Sequence, residues 1–174
     1  MAATQYQALQ QAQAANKASL ADSLTDGLMK DYDDTAYATF AASLRAQREL
    51  QDGHADKAEV DLTWAHAHTK DAALKSLVAL RLARVQLAAN KADAALATLK
   101  SIPGADYRGI TEELRGDALV QQGRQSEARS AYEAALAVLD EGTPQRATLQ
   151  VKIDNLAAAP VTSNSKPANT GKQG

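Results

Sequence analysis

Three residues suited to stopping a helix, Gly53, Asn90 and Gly123, stand 37 and 33 residues apart, and the same residue types recur at fixed distances from each. Seven positions before the stops are Ala46, Ala83 and Gly116, and five after them are Ala58, Ala95 and Ala128. Nine after come Leu62, Leu99 and Tyr132, and twelve after come Ala65, Ile102 and Ala135. Glycine and asparagine tolerate the left-handed conformation that ends a helix. Small side chains let two helix axes approach, and a large one fills the space beside the crossing. The middle repeat shows this most plainly: Leu80, Ala83, Leu87 and Ala88 share one stripe, Asn90 breaks the chain, and Ala92, Ala95, Leu96 and Leu99 form the facing stripe. Three helical hairpins are expected, at residues 36–68, 72–102 and 107–140.

Composition agrees with helices throughout. Aromatic residues are 4% of the 174, and there are only 4 prolines, so the chain reads as all-α. Lys plus Arg number 19 against 21 Asp plus Glu, interspersed, which leaves no field to hold nucleic acid or an anionic membrane by charge alone. Without cysteine the chain has no disulfide and no thiolate metal site. There is no run of 18 apolar residues, and the opening residues lack the basic and apolar regions of a signal peptide.

Ahead of the repeats, residues 4–29 read as one long helix with Tyr6, Leu9, Leu20, Leu24 and Leu28 on one side. Gln10, Gln13 and Lys17 interrupt that stripe, so the helix needs something to dock against. Asp34 or Thr35 is placed to cap the next helix, which runs to about Gln51. Behind the repeats, Pro144 suits the first turn of a final helix over about 145–158, with Leu149, Ile153 and Leu156 on one face to cap the stack. Residues 159–174 carry no apolar periodicity and are expected to be a disordered tail. The organisation is then residues 1–31 as an N-terminal helix, 32–158 as the repeat domain, and 159–174 as the tail.

Catalytic chemistry is not expected. His66 and His68 are two apart and project about 200° from each other on a helix, too far round to share a metal. His54 reads as a turn residue, and Asp31, Asp33 and Asp34 lack the glycine and distal glutamate of a calcium loop. No catalytic residue, metal ligand or cofactor is assigned. What a stack of hairpins offers is a concave wall made by the first helix of each pair. Thirteen positions before the stops lie Phe40, Leu77 and Ile110, an apolar strip; Ser43 and Gln47, Leu80 and Arg84, and Glu113 and Asp117 border it. Such a wall suits an extended or helical peptide. The competing reading is a scaffold in which a terminal helix or a second copy fills the wall.

The small, small, large pattern at a period near 34 residues is similar to that of the tetratricopeptide repeat. Several runs are more particular: Leu82-Ala83-Arg84-Val85-Gln86, Ala92-Asp93-Ala94-Ala95-Leu96, Leu114-Arg115-Gly116-Asp117-Ala118-Leu119, Ala128-Arg129-Ser130-Ala131-Tyr132-Glu133-Ala134 and Val151-Lys152-Ile153-Asp154-Asn155-Leu156. Across roughly residues 32–157 these resemble the ancillary SecYEG translocon subunit family. The resemblance implies a tetratricopeptide-repeat-like solenoid at the periplasmic face of a bacterial inner membrane, with residues 1–31 next to the membrane and any attachment made by an anchor outside this chain. It also implies a non-enzymatic role, with the SecYEG translocon and a membrane-anchored periplasmic chaperone of the prolyl isomerase type as partners, and unfolded proteins as clients handed over between them.

Overall fold

A computed structural model describes residues 1–104 and 107–158, and among these the chain forms nine helices and no strand. They are α1 (Ala2–Ala14), α2 (Ala18–Asp31), α3 (Ala36–Gln51), α4 (Ala55–His68), α5 (Ala72–Ala88), α6 (Ala92–Lys100), α7 (Arg108–Gln121), α8 (Gln125–Leu136) and α9 (Pro144–Ala158). The first eight pair as hairpins and α9 packs on α8. The three expected stops all take positive φ, 82° at Gly53, 58° at Asn90 and 71° at Gly123. The expected tail, 159–174, lies outside the described residues, as do Ala105 and Asp106 of the link before α7.

The N-terminal segment is a correction. It is not one long helix but a fourth hairpin, broken at Asn16, whose φ is 53°. The hydrogen bonding shows that this turn is equivalent to the others. In each, the residue after the stop donates its N–H to the carbonyl five residues before itself: Lys17 to Ala12 at 2.8 Å, His54 to Glu49 at 2.7 Å, Lys91 to Gln86 at 2.8 Å and Arg124 to Leu119 at 2.9 Å. The stop itself donates to the carbonyl three before it, the second bond of the same helix-ending motif. Gln10, Gln13 and Lys17 interrupt the apolar stripe because they lie at the end of one helix and the turn into the next. Asn16 stands 37 residues before Gly53, and Leu9 and Ala21 occupy its seven-before and five-after sites, both buried.

Other boundaries follow local chemistry. Thr35, rather than Asp34, caps α3, its Oγ1 accepting from the N–H of Ala38 at 3.4 Å. Asp71 caps α5 by accepting from the N–H of Leu74 at 2.7 Å. The α5–α6 hairpin departs from the repeat because α6 has only 9 residues and ends at Lys100. Pro103 follows closely, and the residue before a proline avoids the helical region. Ile102 therefore lies beyond the helix, whereas its counterparts Ala65 and Ala135 are buried inside α4 and α8.

The interior is a row of four apolar clusters, each spanning a hairpin and its neighbour. Leu9 and Leu28 anchor the first, Leu62 and Val85 the second, Ala83 and Leu99 the third, Tyr132 and Leu149 the fourth. Trp64 touches the first two clusters and Leu96 the last two, so the row is continuous at those joints. One polar joint crosses three helices. Arg45 on α3 donates to both carboxylate oxygens of Asp61 on α4 at 2.8 and 2.7 Å, and to Asp26 on α2 at 2.5 Å. The hydrogen bond to Asp61 pushes the Arg45 pKa further up, against the effect of its own burial.

Candidate partner-binding face

Two pairs of first helices approach one another, α1 against α3 and α5 against α7, while among the described residues neither α3 and α5 nor any two second helices come as close. The helices α1, α3, α5 and α7 carry the residues expected on the inner wall of the stack.

On that wall Phe40 and Leu77 stand open, 40% and 39% exposed, and Ile110 is half-buried against the third cluster. Ser43 and Leu80 are corrections. Both are buried, at 4% and 3% exposure, and border no accessible strip. Three residues advance a helix by about 300°, which swings these side chains roughly 60° off the open face into the neighbouring element. Seven residues advance it by about 700°, only 20° short of two turns, so Gln47 and Arg84 return to the surface and are exposed.

Two further rings belong to the face. Tyr6 on α1 meets Tyr37 and Phe40 on α3 with centroids 5.6 and 6.2 Å away and planes tilted by 43° and 49°. Tyr37 is as open as Phe40. Both separations fall within the range of about 4.5–7 Å over which ring pairs attract, so the three rings form one aromatic patch. The signal for Tyr6 was Asn16: once that residue is read as a stop, Tyr6 falls ten before it, the site of Ser43, Leu80 and Glu113 in the other repeats.

At the other end of the wall the expected acidic border is held by α9. Lys152 donates to Glu113 at 2.8 Å and to Asp117 at 2.7 Å, and the Tyr132 hydroxyl donates to Asp117 at 2.8 Å. Burial works against the charge on Lys152, but the bonds to Asp117 and Glu113 outweigh it and raise its pKa. Burial and then the hydrogen bond to Asp117 push the Tyr132 phenol well above its usual range. Arg84, Glu113 and Asp117 line one cleft of about 300 Å³ floored by Leu87 and Leu114. The structure thus brings these three together, places Gln47 in a separate cleft with Gln13, Lys17 and Arg48, and leaves an aromatic and aliphatic patch nearer the N-terminus.

The histidines are apart from this face. His54 pairs with Glu49 through Nδ1 at 2.9 Å, and His68 stacks on Trp64 at 4.1 Å. His66 sits in a small recess beside Lys75 and Ser101, where burial and then the charge of Lys75 hold its pKa below the usual 6.5. The unfolded chain therefore takes up that proton first, and stability falls as the pH drops below about 6.5. His66→Gln is expected to remove part of the loss in urea midpoint between about pH 7.5 and 5.5; an unchanged pH dependence would show that this imidazole is not perturbed.

Among the described residues no group of His, Asp and Glu is placed to hold a metal ion, and no helix is long and apolar enough to cross a membrane. A family profile described as a tetratricopeptide repeat-like domain matches residues 1–158. The chain is 40% identical over 122 residues to the ancillary SecYEG translocon subunit of Escherichia coli strain K12, a stretch covering 70% of this chain and 58% of that protein. It is 33% identical over 129 residues to the protein of the same name from Neisseria gonorrhoeae, covering 74% and 62% of the two. The Haemophilus influenzae protein so named is 35% identical over 101 residues, covering 58% and 50%. This chain thus spans about three-fifths or less of these relatives. Hairpin register, turn bonding and similarity agree: the chain belongs to the tetratricopeptide repeat-like domain family, as a homologue of the ancillary SecYEG translocon subunits.

Proposed function

We propose that this chain is a non-enzymatic interaction module of the protein-secretion machinery, which works beside the SecYEG translocon at the periplasmic face of the inner membrane. Through its inner wall it engages a membrane-anchored periplasmic chaperone or an unfolded client and assists the hand-over of translocated proteins. The observation that carries this reading is the open apolar face: Phe40, Tyr37 and Leu77 remain 39–40% exposed, and Tyr37 and Phe40 join Tyr6 in one cluster of rings. An exposed apolar patch rimmed by polar groups marks a protein-interaction surface, and tyrosine is among the usual anchors of a partner. The names of the relatives support the Sec association.

The test uses the wild-type chain and a Phe40→Asp/Leu77→Asp variant as baits for detergent-solubilised inner membranes. Both substituted sites are open, so circular dichroism is expected to show a folded variant. Wild type is expected to retain translocon subunits and a periplasmic chaperone, with at least about tenfold less recovered by the variant. Equal recovery by both would move the binding surface off the inner wall. Loss of self-association in the variant, without partner capture by wild type, would favour the scaffold reading.

A further inference from the structure

The shortness of α6 opens a second cleft on the opposite side of α7. Arg108, Glu112 and Arg115 line it, and their angular positions on α7 are about half a turn from those of Ile110, Glu113 and Asp117. Its volume is about 810 Å³, against about 300 Å³ for the cleft at Arg84. Leu96 and Ile102, both partly exposed, form its apolar interior, above the buried Leu99 and Leu119. Four cations stand around it: Lys100 at the end of α6, Arg108 and Arg115 on α7, and Arg124 before α8. Glu112 meets Arg115 at 3.1 Å and Glu127 meets Arg124 at 2.6 Å, whereas Lys100 and Arg108 have no ion pair among the described residues.

We propose that this cleft is a docking site for a short acidic segment of a partner protein carrying one or two large apolar side chains. Charge complementarity assigns the occupant. The surplus of cations frames a concave space with an apolar interior, so a carboxylate-bearing segment gains both ion pairing at the rim and burial within. A polynucleotide or an anionic bilayer calls for a broad basic surface, and the chain as a whole carries a formal charge of −2. The site is separate from the inner wall, so one chain can hold two partners at once.

The test measures fluorescence anisotropy of a labelled synthetic peptide, Glu-Leu-Glu-Ser-Leu-Glu-Gly, with the full chain. A second peptide has lysine in place of glutamate, and a third has serine in place of leucine. The first is expected to bind, more weakly as salt rises, and both controls to bind at least about tenfold more weakly. Lys100→Glu/Arg108→Glu is expected to weaken the first peptide at least about tenfold, while Lys70→Glu, an exposed change elsewhere, and Phe40→Asp/Leu77→Asp leave it unchanged. Glutamate at position 108 is favourable in the first turn of α7, and circular dichroism checks the fold. No binding by wild type, equal binding of all three peptides, or equal loss in Lys70→Glu overturns the proposal. Sedimentation with phosphatidylglycerol vesicles that depends on Lys100 and Arg108, in place of peptide binding, overturns it as well.

Discussion

Replacing Arg45 by methionine is expected to cost about 3–5 kcal/mol of stability, measured as a shift in urea unfolding followed by circular dichroism. The size comes from what is left behind. The Asp61 side chain is only 7% exposed, and Arg45 supplies two of its hydrogen bonds, so the variant strands a carboxylate in the interior between α3 and α4. Asp26, 70% exposed, is the weaker partner, and Asp26→Ala is expected to change stability by no more than about 1 kcal/mol. Arg45→Met/Asp61→Leu removes both charges and is expected to recover most of the loss, because replacing a buried pair by apolar groups is close to neutral. If Arg45→Met alone costs less than about 1 kcal/mol, water reaches Asp61 and the joint contributes little.

Gly116→Ala is expected to destabilise the last hairpin by about 1–3 kcal/mol. A Cβ built at Gly116 overlaps the Tyr132 ring. The ring is poorly able to retreat, since its hydroxyl is bonded to Asp117 and Lys152 lies 5.5 Å from its centroid. The same register holds alanine opposite leucine in the two preceding hairpins, Ala46 with Leu62 and Ala83 with Leu99. Where the large residue is tyrosine, the small one shrinks to glycine. Gly116→Ala/Tyr132→Leu restores the pairing of the other repeats and is expected to be more stable than the sum of the two single changes predicts, by about 1 kcal/mol or more, in a double-mutant cycle of urea unfolding. Strict additivity would mean that the two positions adjust independently.

The pairing of small and large residues also explains why so much of the fold was legible. Local preferences placed the stops at Gly53, Asn90 and Gly123, because few residues accept positive φ without strain. Helix spacing placed Ala58, Ala95 and Ala128 in the core, and all three are fully buried. Asn16 carried the same signal, but with polar residues on both sides of the turn its hairpin reads as a flawed single helix until the 37-residue register is extended toward the N-terminus. The inner wall was legible only in part. Phe40 and Leu77, thirteen residues before Gly53 and Asn90, are exposed, whereas Ser43 and Leu80, three residues on, are buried.

By itself the sequence determined helices, their stops, and which residues pack at each crossing, since these depend on backbone torsion and on side chains within one hairpin. Only the tertiary structure decided what happens between hairpins. It tied Asp61 to Arg45, drew Glu113 and Asp117 to Lys152 of α9, gathered Tyr6 with Tyr37 and Phe40, and left a cleft where α6 ends early. Those contacts join residues 16 to 39 positions apart in the cases of Arg45 and Lys152, and their geometry depends on the angle at which one hairpin stacks on the next. That angle is set by the summed packing of whole helices, and no local preference encodes it.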